Sequence, residues 1–283
     1  AFAEADAALG FPLSTLCFEG PEDRLTSTQN AQPALLAHGA AAWAAIRDAA
    51  RPFVRAAAGH SLGEFTAYHA AGALSLGDAR AVVRTRGELM FESGTRRPGA
   101  MAAILGLTED RVERVCADAR ADGAICVPAN YNTPEQLVIS GQVDAVERAM
   151  ALAREAGAKR AIRLNVSGAF HSPLMAVAAP GLERALASVA MRAPAFPIYS
   201  NVSTEPVRDP DTATRLLVEQ LTSPVRWTAL VRRLAADHPG AAFVELGPGT
   251  VLSNLVRRIV PGAETIACGT AADVAALRQR LTT

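Results

Sequence analysis

Apolar positions along this chain follow two spacings that take turns. Residues 34–46, ALLAHGAAAWAAI, carry apolar side chains at helical spacing and predict a helix. Residues 54–58 make a short apolar run of strand length, and residues 62–74 and 78–91 return to helical spacing, the latter with Asp78 as its expected N-cap. Residues 2–9 read as a further helix. Helix and strand signals in alternation favour an α/β fold with a mainly parallel sheet. The rhythm changes at Met101. A strand over 101–107 is followed by a helix opened by Thr108-Glu109-Asp110, with Val112, Val115, Cys116 and Ala119 on one face. Strands over 125–129 and 136–140 are joined by NYNTPE. A helix with Val143, Val146, Met150 and Ala153 along one side then leads to a strand over 161–166. The order β-α-β-β-α-β is that of a ferredoxin-like unit. It predicts a small domain over 97–166 inserted into a larger one formed by 1–96 and 167–283. Strands over 197–201 and 242–246 return to the larger unit, and Gly247-Pro248-Gly249 reads as a turn into a helix over 250–259.

Composition narrows the function classes. With 283 residues, 50% of them hydrophobic, the chain can bury a sizeable core. Its 28 basic and 28 acidic residues cancel, which disfavours a nucleic-acid partner. Four cysteines, Cys17, Cys116, Cys126 and Cys268, form no CxxC pair and no metal-ligand spacing. They predict reduced structural thiols, a cytoplasmic setting and no metal. The apolar stretch over 31–46 is too short and too rich in alanine to span a membrane. No signal peptide is visible. Ala1 is not an ordinary start, and a helix already under way at residues 2–9 predicts further sequence upstream.

The densest chemical signal is Gly59-His60-Ser61-Leu62-Gly63, between a predicted strand and a predicted helix. In that setting Gly-x-Ser-x-Gly reads as a nucleophile elbow, with Gly59 and Gly63 removing side chains where strand and helix approach. The Leu62 N–H at the helix N-terminus is then available to a developing oxyanion. A plain glycine-rich loop is the competing reading. Among five histidines, His60 should point away, His69 lies two helical turns on, His38 reads as a core residue and His238 as a surface turn. His171, in NVSGAFHSP, remains as the candidate base, beside the reading of an ordinary loop histidine. No carboxylate stands out to complete a triad. In DARAVVRTRGELM, Arg86 falls within the stripe of Val82, Val83, Leu89 and Met90, whereas Arg80 and Arg84 lie off it. A guanidinium on a buried face needs an anion. Periodicity alone favours an internal ion pair or a snorkelling stem over a substrate carboxylate.

The run GHSLGEFTAYHAAGALSLGDARAVVRTRGELM resembles the malonyl-CoA:acyl carrier protein transacylases of the FabD type. So do GAMAAILGL, NTPEQLVISG, AGAKRA, AFHSPLM, SPVRWT and ELGPGTVLSNL, and all are also similar to the acyltransferase domains of polyketide synthases. The resemblance covers essentially the whole chain. It implies an α/β-hydrolase-like large domain with a ferredoxin-like small one, and transfer of a malonyl group from malonyl-CoA to the phosphopantetheine thiol of acyl carrier protein. By the same resemblance Ser61 accepts the acyl group and His171 is its base. The main-chain carbonyl of Gln220 orients that base, the Leu62 N–H donates to the oxyanion and Arg86 binds the malonyl carboxylate. Asn130 and Asn132 line the cleft, and Phe170 marks malonyl over methylmalonyl selectivity. Lys159 and Arg160 sit where an acidic carrier would dock, and no cofactor beyond the two substrates is implied. The family's GQGSQ-like loop, source of a second oxyanion donor, does not occur in this sequence. A serine esterase or thioesterase, a methylmalonyl-preferring acyltransferase and a non-catalytic carrier-docking module are the alternatives.

Overall fold

The computed structural model describes Asp6 and residues 11–120, 123–166 and 168–282; the helix expected at 2–9 otherwise lies outside them. The fold is mixed α/β, with helices around three separate sheets. Helices α1 (Leu13–Glu19) and α2 (Glu22–Thr26) lead to the long α3 (Thr28–Ala50). Pro33 lies inside α3 and cannot donate to the carbonyl of Gln29. That carbonyl accepts from Arg84 Nη1 at 3.0 Å instead, which ties α3 to α5 (Leu76–Arg96). Gly87 allows the close approach, because a Cβ there would lie 2.9 Å from the Cα of Gln29.

Several boundaries differ from the sequence reading. The strand expected over 54–58 contracts to β1 (Ala57–Ala58), and α4 (Leu62–Ala70) stops early because Gly72 turns the chain at φ 73°. Helix α5 begins two residues before Asp78. Its N-cap is Ser75, whose Oγ accepts from the Asp78 N–H at 3.0 Å and donates to Asp78 Oδ2 at 2.7 Å. Asp78 is therefore the third residue of the first turn, bonded to the cap through its N–H and its carboxylate, and not the cap itself. Arg80, off the apolar stripe, is nonetheless buried, since α5 packs on α3 along one side and on α8 (Ala179–Ala187) along another.

Strands β2 (Gly99–Leu105), β3 (Cys126–Thr133), β4 (Gln136–Gln142) and β5 (Arg160–Arg163) form one antiparallel sheet in the order β3-β4-β2-β5. Alternation along β2 explains how it sits. Ala100, Ala102 and Ile104 face helices α6 (Glu109–Asp118) and α7 (Val143–Glu155), whereas Met101 and Ala103 join the main core with Phe65, Val83 and Phe170. The strand is apolar on both faces because both are covered. Along β3 the register shifts between Pro128 and Asn130, and there Val225 docks beside the strand, its N–H on the Ala129 carbonyl and its carbonyl on the Tyr131 N–H. This bulge brings the loop after α9 (Pro210–Glu219) against the small sheet.

The remaining strands make two short sheets where the sequence suggested one mainly parallel sheet. In the first, β1 pairs in parallel with β6 (Ile198–Tyr199), which pairs antiparallel with β7 (Pro206–Val207). In the second, β8 (Phe243–Leu246) pairs in parallel with β9 (Thr265–Cys268). Among the described residues β1 and β8 each keep one edge without a strand partner, so the two sheets stay separate. Helices α10 (Trp227–Asp237), α11 (Val251–Ile259) and α12 (Ala271–Thr282) complete the chain. No helix among the described residues is long and apolar enough to cross a membrane.

Candidate active site

The chain leaves β1, turns through Gly59, His60 and Ser61, and enters α4. Ser61 is held at φ 51°, ψ −105°, a region that L-residues avoid at a cost of about 1–3 kcal/mol. Gly59 is required: a Cβ there would lie 1.9 Å from the carbonyl carbon of Gly63. The same reasoning fails at Gly63, where a Cβ would meet nothing within 4 Å. The elbow closes by the backbone of Gly63 approaching Gly59, so only one of the two positions must lack a side chain.

Asn201 clamps this turn. Its Oδ1 accepts from the Ser61 N–H at 2.7 Å and its Nδ2 donates to the Gly59 carbonyl at 2.7 Å. The Ser61 amide is thereby occupied, whereas the Leu62 N–H, first in α4, has no acceptor among the described residues. The Leu62 N–H is therefore the amide of this turn that is free to donate to an incoming oxygen.

His171 is buried and, like Ser61, has a positive φ, 55°. Its Nε2 lies 2.8 Å from Ser61 Oγ and its Nδ1 lies 2.9 Å from the Gln220 carbonyl. A carbonyl only accepts, so Nδ1 carries the hydrogen and Nε2 is free to take the serine proton. Burial, then the Arg86 charge, push the imidazole down to about 3, so it stays neutral. The third position of a triad is filled by a main-chain oxygen.

Arg86 is 1% exposed. Its Nη1 donates to Gln32 Oε1 at 2.5 Å, and its Nη2 donates to Ser61 Oγ and to Gln220 Oε1, each at 2.9 Å. The guanidinium lies 5.3 Å from the Phe65 ring centroid, and its Nε–H is buried without an acceptor. No acid lies within ion-pair distance of it among the described residues, so the internal ion pair favoured by periodicity does not exist. Burial pushes its pKa down to about 10. A buried cation with spare donors beside the Ser61 hydroxyl can bind an anion through a planar fork.

Other site candidates fall nearby or apart. His60 Nε2 meets Asn132 Oδ1 at 2.8 Å and its ring packs 5.5 Å from that of Trp227, which joins the serine turn to β3. Asn130 is buried at the β3 bulge, and no hydrogen bond ties its side chain to Ser61 or His171. Phe170 is buried in the main core immediately before the base. Lys159, paired with Glu135 at 3.7 Å, and Arg160 are exposed at β5, the sheet edge opposite the β3 edge that meets the site. The structure does not bring them to the dyad.

Sequence reasoning missed Gln32, Glu64 and Asn201. Glu64 has no exposed surface and accepts from Gln220 Nε2 at 2.7 Å and the Asn201 N–H at 3.1 Å; burial pushes its pKa up to about 7. Its signal was Ser61-x-x-Glu64, which reads as a capping box, but Ser61 makes no side-chain cap bond. No cluster of three or more His, Cys, Asp or Glu side chains among the described residues could hold a metal.

The acyl transferase domain family model matches residues 3–278. The malonyl CoA-acyl carrier protein transacylase of Bacillus subtilis is 44% identical, over 94% of this chain and 83% of that protein. The acyl-carrier-protein S-malonyltransferase of Bartonella henselae superposes with a TM-score of 0.94 at 41% identity, covering 100% of this chain and 90% of that one. A malonyl-transacylase solved in complex with its type II polyketide synthase acyl carrier protein gives 0.93 at 37% identity, covering 99% of this chain and 90% of that one. With the serine turn, the buried imidazole and the unpaired guanidinium all on matched sequence, the chain belongs to the acyl transferase domain family, among relatives that are malonyl-CoA:acyl carrier protein transacylases.

Proposed function

We infer that this chain moves a malonyl group from malonyl-CoA to the phosphopantetheine thiol of an acyl carrier protein through a malonyl-serine intermediate. The observation that carries this reading is the double partnership of Ser61 Oγ, 2.8 Å from a neutral imidazole nitrogen and 2.9 Å from a buried guanidinium with no acidic partner. An esterase for neutral acyl groups has no use for the second.

His171 Nε2 takes the Ser61 proton as Oγ bonds to the thioester carbonyl carbon. The oxyanion receives the Leu62 N–H. Collapse breaks the carbon–sulfur bond, His171 returns the proton to the departing coenzyme A sulfur, and malonyl-Ser61 remains. The carrier thiol then gives its proton to His171, attacks the ester and releases Ser61, which recovers the proton. Proton relay and acyl exchange account for every step, so no cofactor is required. Arg86 holds the malonyl carboxylate through both halves, and the Phe170 ring limits room for a methyl branch to a preference of modest energy.

The same reading assigns residues 1–96 and 167–283 to an α/β-hydrolase-like domain, supported by the strand-turn-helix at Ser61. Residues 97–166 form a ferredoxin-like one, supported by the β3-β4-β2-β5 order. An acidic carrier would meet Lys159 and Arg160, and the setting would be cytoplasmic, in keeping with four unpaired thiols. Asn130 and Asn132 would flank the arm of the incoming thioester. Incubation with malonyl-, methylmalonyl- and acetyl-CoA, followed by mass analysis of the Ser61 peptide, tests the assignment. A malonyl adduct absent from Ser61→Ala is expected; acetyl labelling equal to malonyl in the unmodified protein refutes it.

A further inference from the structure

Glu64 follows Ser61 by three residues, fully buried, and none of the catalytic steps uses it. Its place in the hydrogen-bond pattern is nevertheless specific. Gln220 Nε2 donates to Glu64 Oε2 at 2.7 Å and to the Ser61 carbonyl at 3.1 Å. With both amide hydrogens so engaged, the amide oxygen has to face the other way. That oxygen is the one that accepts from Arg86 Nη2 at 2.9 Å. Turned over, the amide would set its NH2 group against the guanidinium, donor against donor. Glu64 Oε2 also accepts from the N–H of Asn201, the residue whose side chain clamps the serine turn.

We propose that Glu64 is a positioning residue for acyl selection: acting through the Gln220 side-chain amide, it holds the Arg86 guanidinium in the pose that receives the acyl carboxylate. This rests on the acyltransferase reading above and deepens it. Gln220 then serves both partners of Ser61, its main chain orienting the base and its side chain the carboxylate receptor. What Glu64 supplies is an acceptor in a fixed place. Its Oε1 makes neither of these bonds, so a proton taken up there leaves both bonds at Oε2 intact. A glutamine can offer the same acceptor; a leucine cannot.

The experiment measures kcat/KM for acylation of Ser61 by malonyl-CoA and by acetyl-CoA in the wild type, Glu64→Gln, Glu64→Leu, Gln220→Met and Glu64→Leu/Gln220→Met, with thermal melts of each. Glu64→Leu is expected to lower the malonyl-to-acetyl ratio by about tenfold or more, the loss of roughly one hydrogen bond to a charged group. Glu64→Gln should keep the ratio within about threefold, less than one neutral bond's worth. The double variant should discriminate no worse than Gln220→Met alone, because one route is lost in both. Parallel loss of malonyl and acetyl rates in Glu64→Leu, an unchanged ratio, or losses that multiply in the double variant overturn the proposal. If Glu64→Leu does not fold, Gln220→Met carries the test, since an unchanged ratio there overturns it equally. Failure of the wild type to form malonyl-Ser61 at all would instead refute the acyltransferase reading.

Discussion

On the role proposed for Arg86, replacing it should separate recognition of the acyl carboxylate from acylation itself. A carboxylate bound bidentately by the guanidinium makes two charge-assisted hydrogen bonds, each worth about 1.5–3 kcal/mol in a buried site. Their loss in Arg86→Ala removes about 3–6 kcal/mol from the malonyl transition state, a fall of roughly 10²–10⁴-fold in kcat/KM. Acetyl transfer has no carboxylate to lose. It forfeits the charge-assisted bond from Arg86 Nη2 to Ser61 Oγ, worth about 1.5–3 kcal/mol or roughly 10–10²-fold, a loss that malonyl transfer shares, so the carboxylate's part shows as the fall in the malonyl-to-acetyl ratio. Arg86→Lys keeps a charge but has no planar fork, so it cannot reach Gln32 and Gln220 and still bind a carboxylate bidentately, and it recovers little. Truncation also strands the side-chain oxygens of Gln32 and Gln220, at about 1–3 kcal/mol each, so a melt must accompany the kinetics. The assay is single-turnover labelling of Ser61 by malonyl- and acetyl-CoA. Equal losses for the two substrates would refute the reasoning, because they would show Arg86 acting on the serine or the fold and not on the acyl tail.

Gly59→Ala forces a Cβ into the Gly63 backbone and should cost at least about 3 kcal/mol, read as a melt lowered by roughly 5–10 °C or as loss of folded protein. Gly63→Ala, into open space, should melt within about 2 °C of wild type, a shift below 1 kcal/mol. The pH profile follows from His171, whose active form is neutral: with its pKa depressed from 6.5 to about 3, malonyl kcat/KM should stay flat as pH falls through 6.5. A titration near 6.5 in the free enzyme would contradict the buried, Arg86-facing imidazole. Stability carries two opposed slopes. The unfolded chain protonates His171 below 6.5 and the native state does not until about 3, so acid weakens the fold across that window. The native state protonates Glu64 near 7 and the unfolded chain only near 4.5, so acid strengthens it there. The groups acting on Glu64 are Gln220, Asn201, Arg86 and Ser200, and all favour its charged form against burial. Glu64→Gln should therefore make the melting temperature fall more steeply from pH 6.5 to 4.5 than in wild type.

What could be read along the chain was whatever depends on neighbours in sequence. Strand-turn-helix at Ser61, the strand that begins near Met101, and Arg86 in an apolar stripe are all local patterns. Boundaries slipped where a cap or a tertiary partner decides them. Ser75 caps α5 because its hydroxyl reaches Asp78, and α3 runs through Pro33 because Arg84 takes the orphaned carbonyl. Long-range polar partners left almost no trace. Gln32, Glu64, Asn201 and the Gln220 side chain come from four separate segments, and each looks ordinary in its own. Arg86 shows the difference most clearly: its periodicity predicts burial correctly and says nothing of its partners, which turn out to be amides and a hydroxyl.

That choice of partners matters for how the site discriminates. A carboxylate placed directly on Arg86 would satisfy it, and the acyl carboxylate would then have to displace an ion pair of its own kind. Neutral amides hold the guanidinium by one hydrogen bond each and leave its charge uncompensated at short range, with two of its five N–H bonds, on Nε and Nη1, still lacking an acceptor. Among the described residues the carboxylate that acts on Arg86 is Glu64, held at one remove by Gln220. In the resting state the Arg86 charge is also one of the causes that keep the His171 imidazole weakly basic. On the proposed role of Arg86, an acyl carboxylate that neutralised it would remove that cause, so the base would strengthen when the cargo is a diacid and stay weak when it is not. The apparent pKa of kcat with malonyl-CoA should accordingly lie above that of kcat/KM, whereas with acetyl-CoA the two should coincide. Coincident values for both substrates would show that the guanidinium recognises the tail without touching the chemistry.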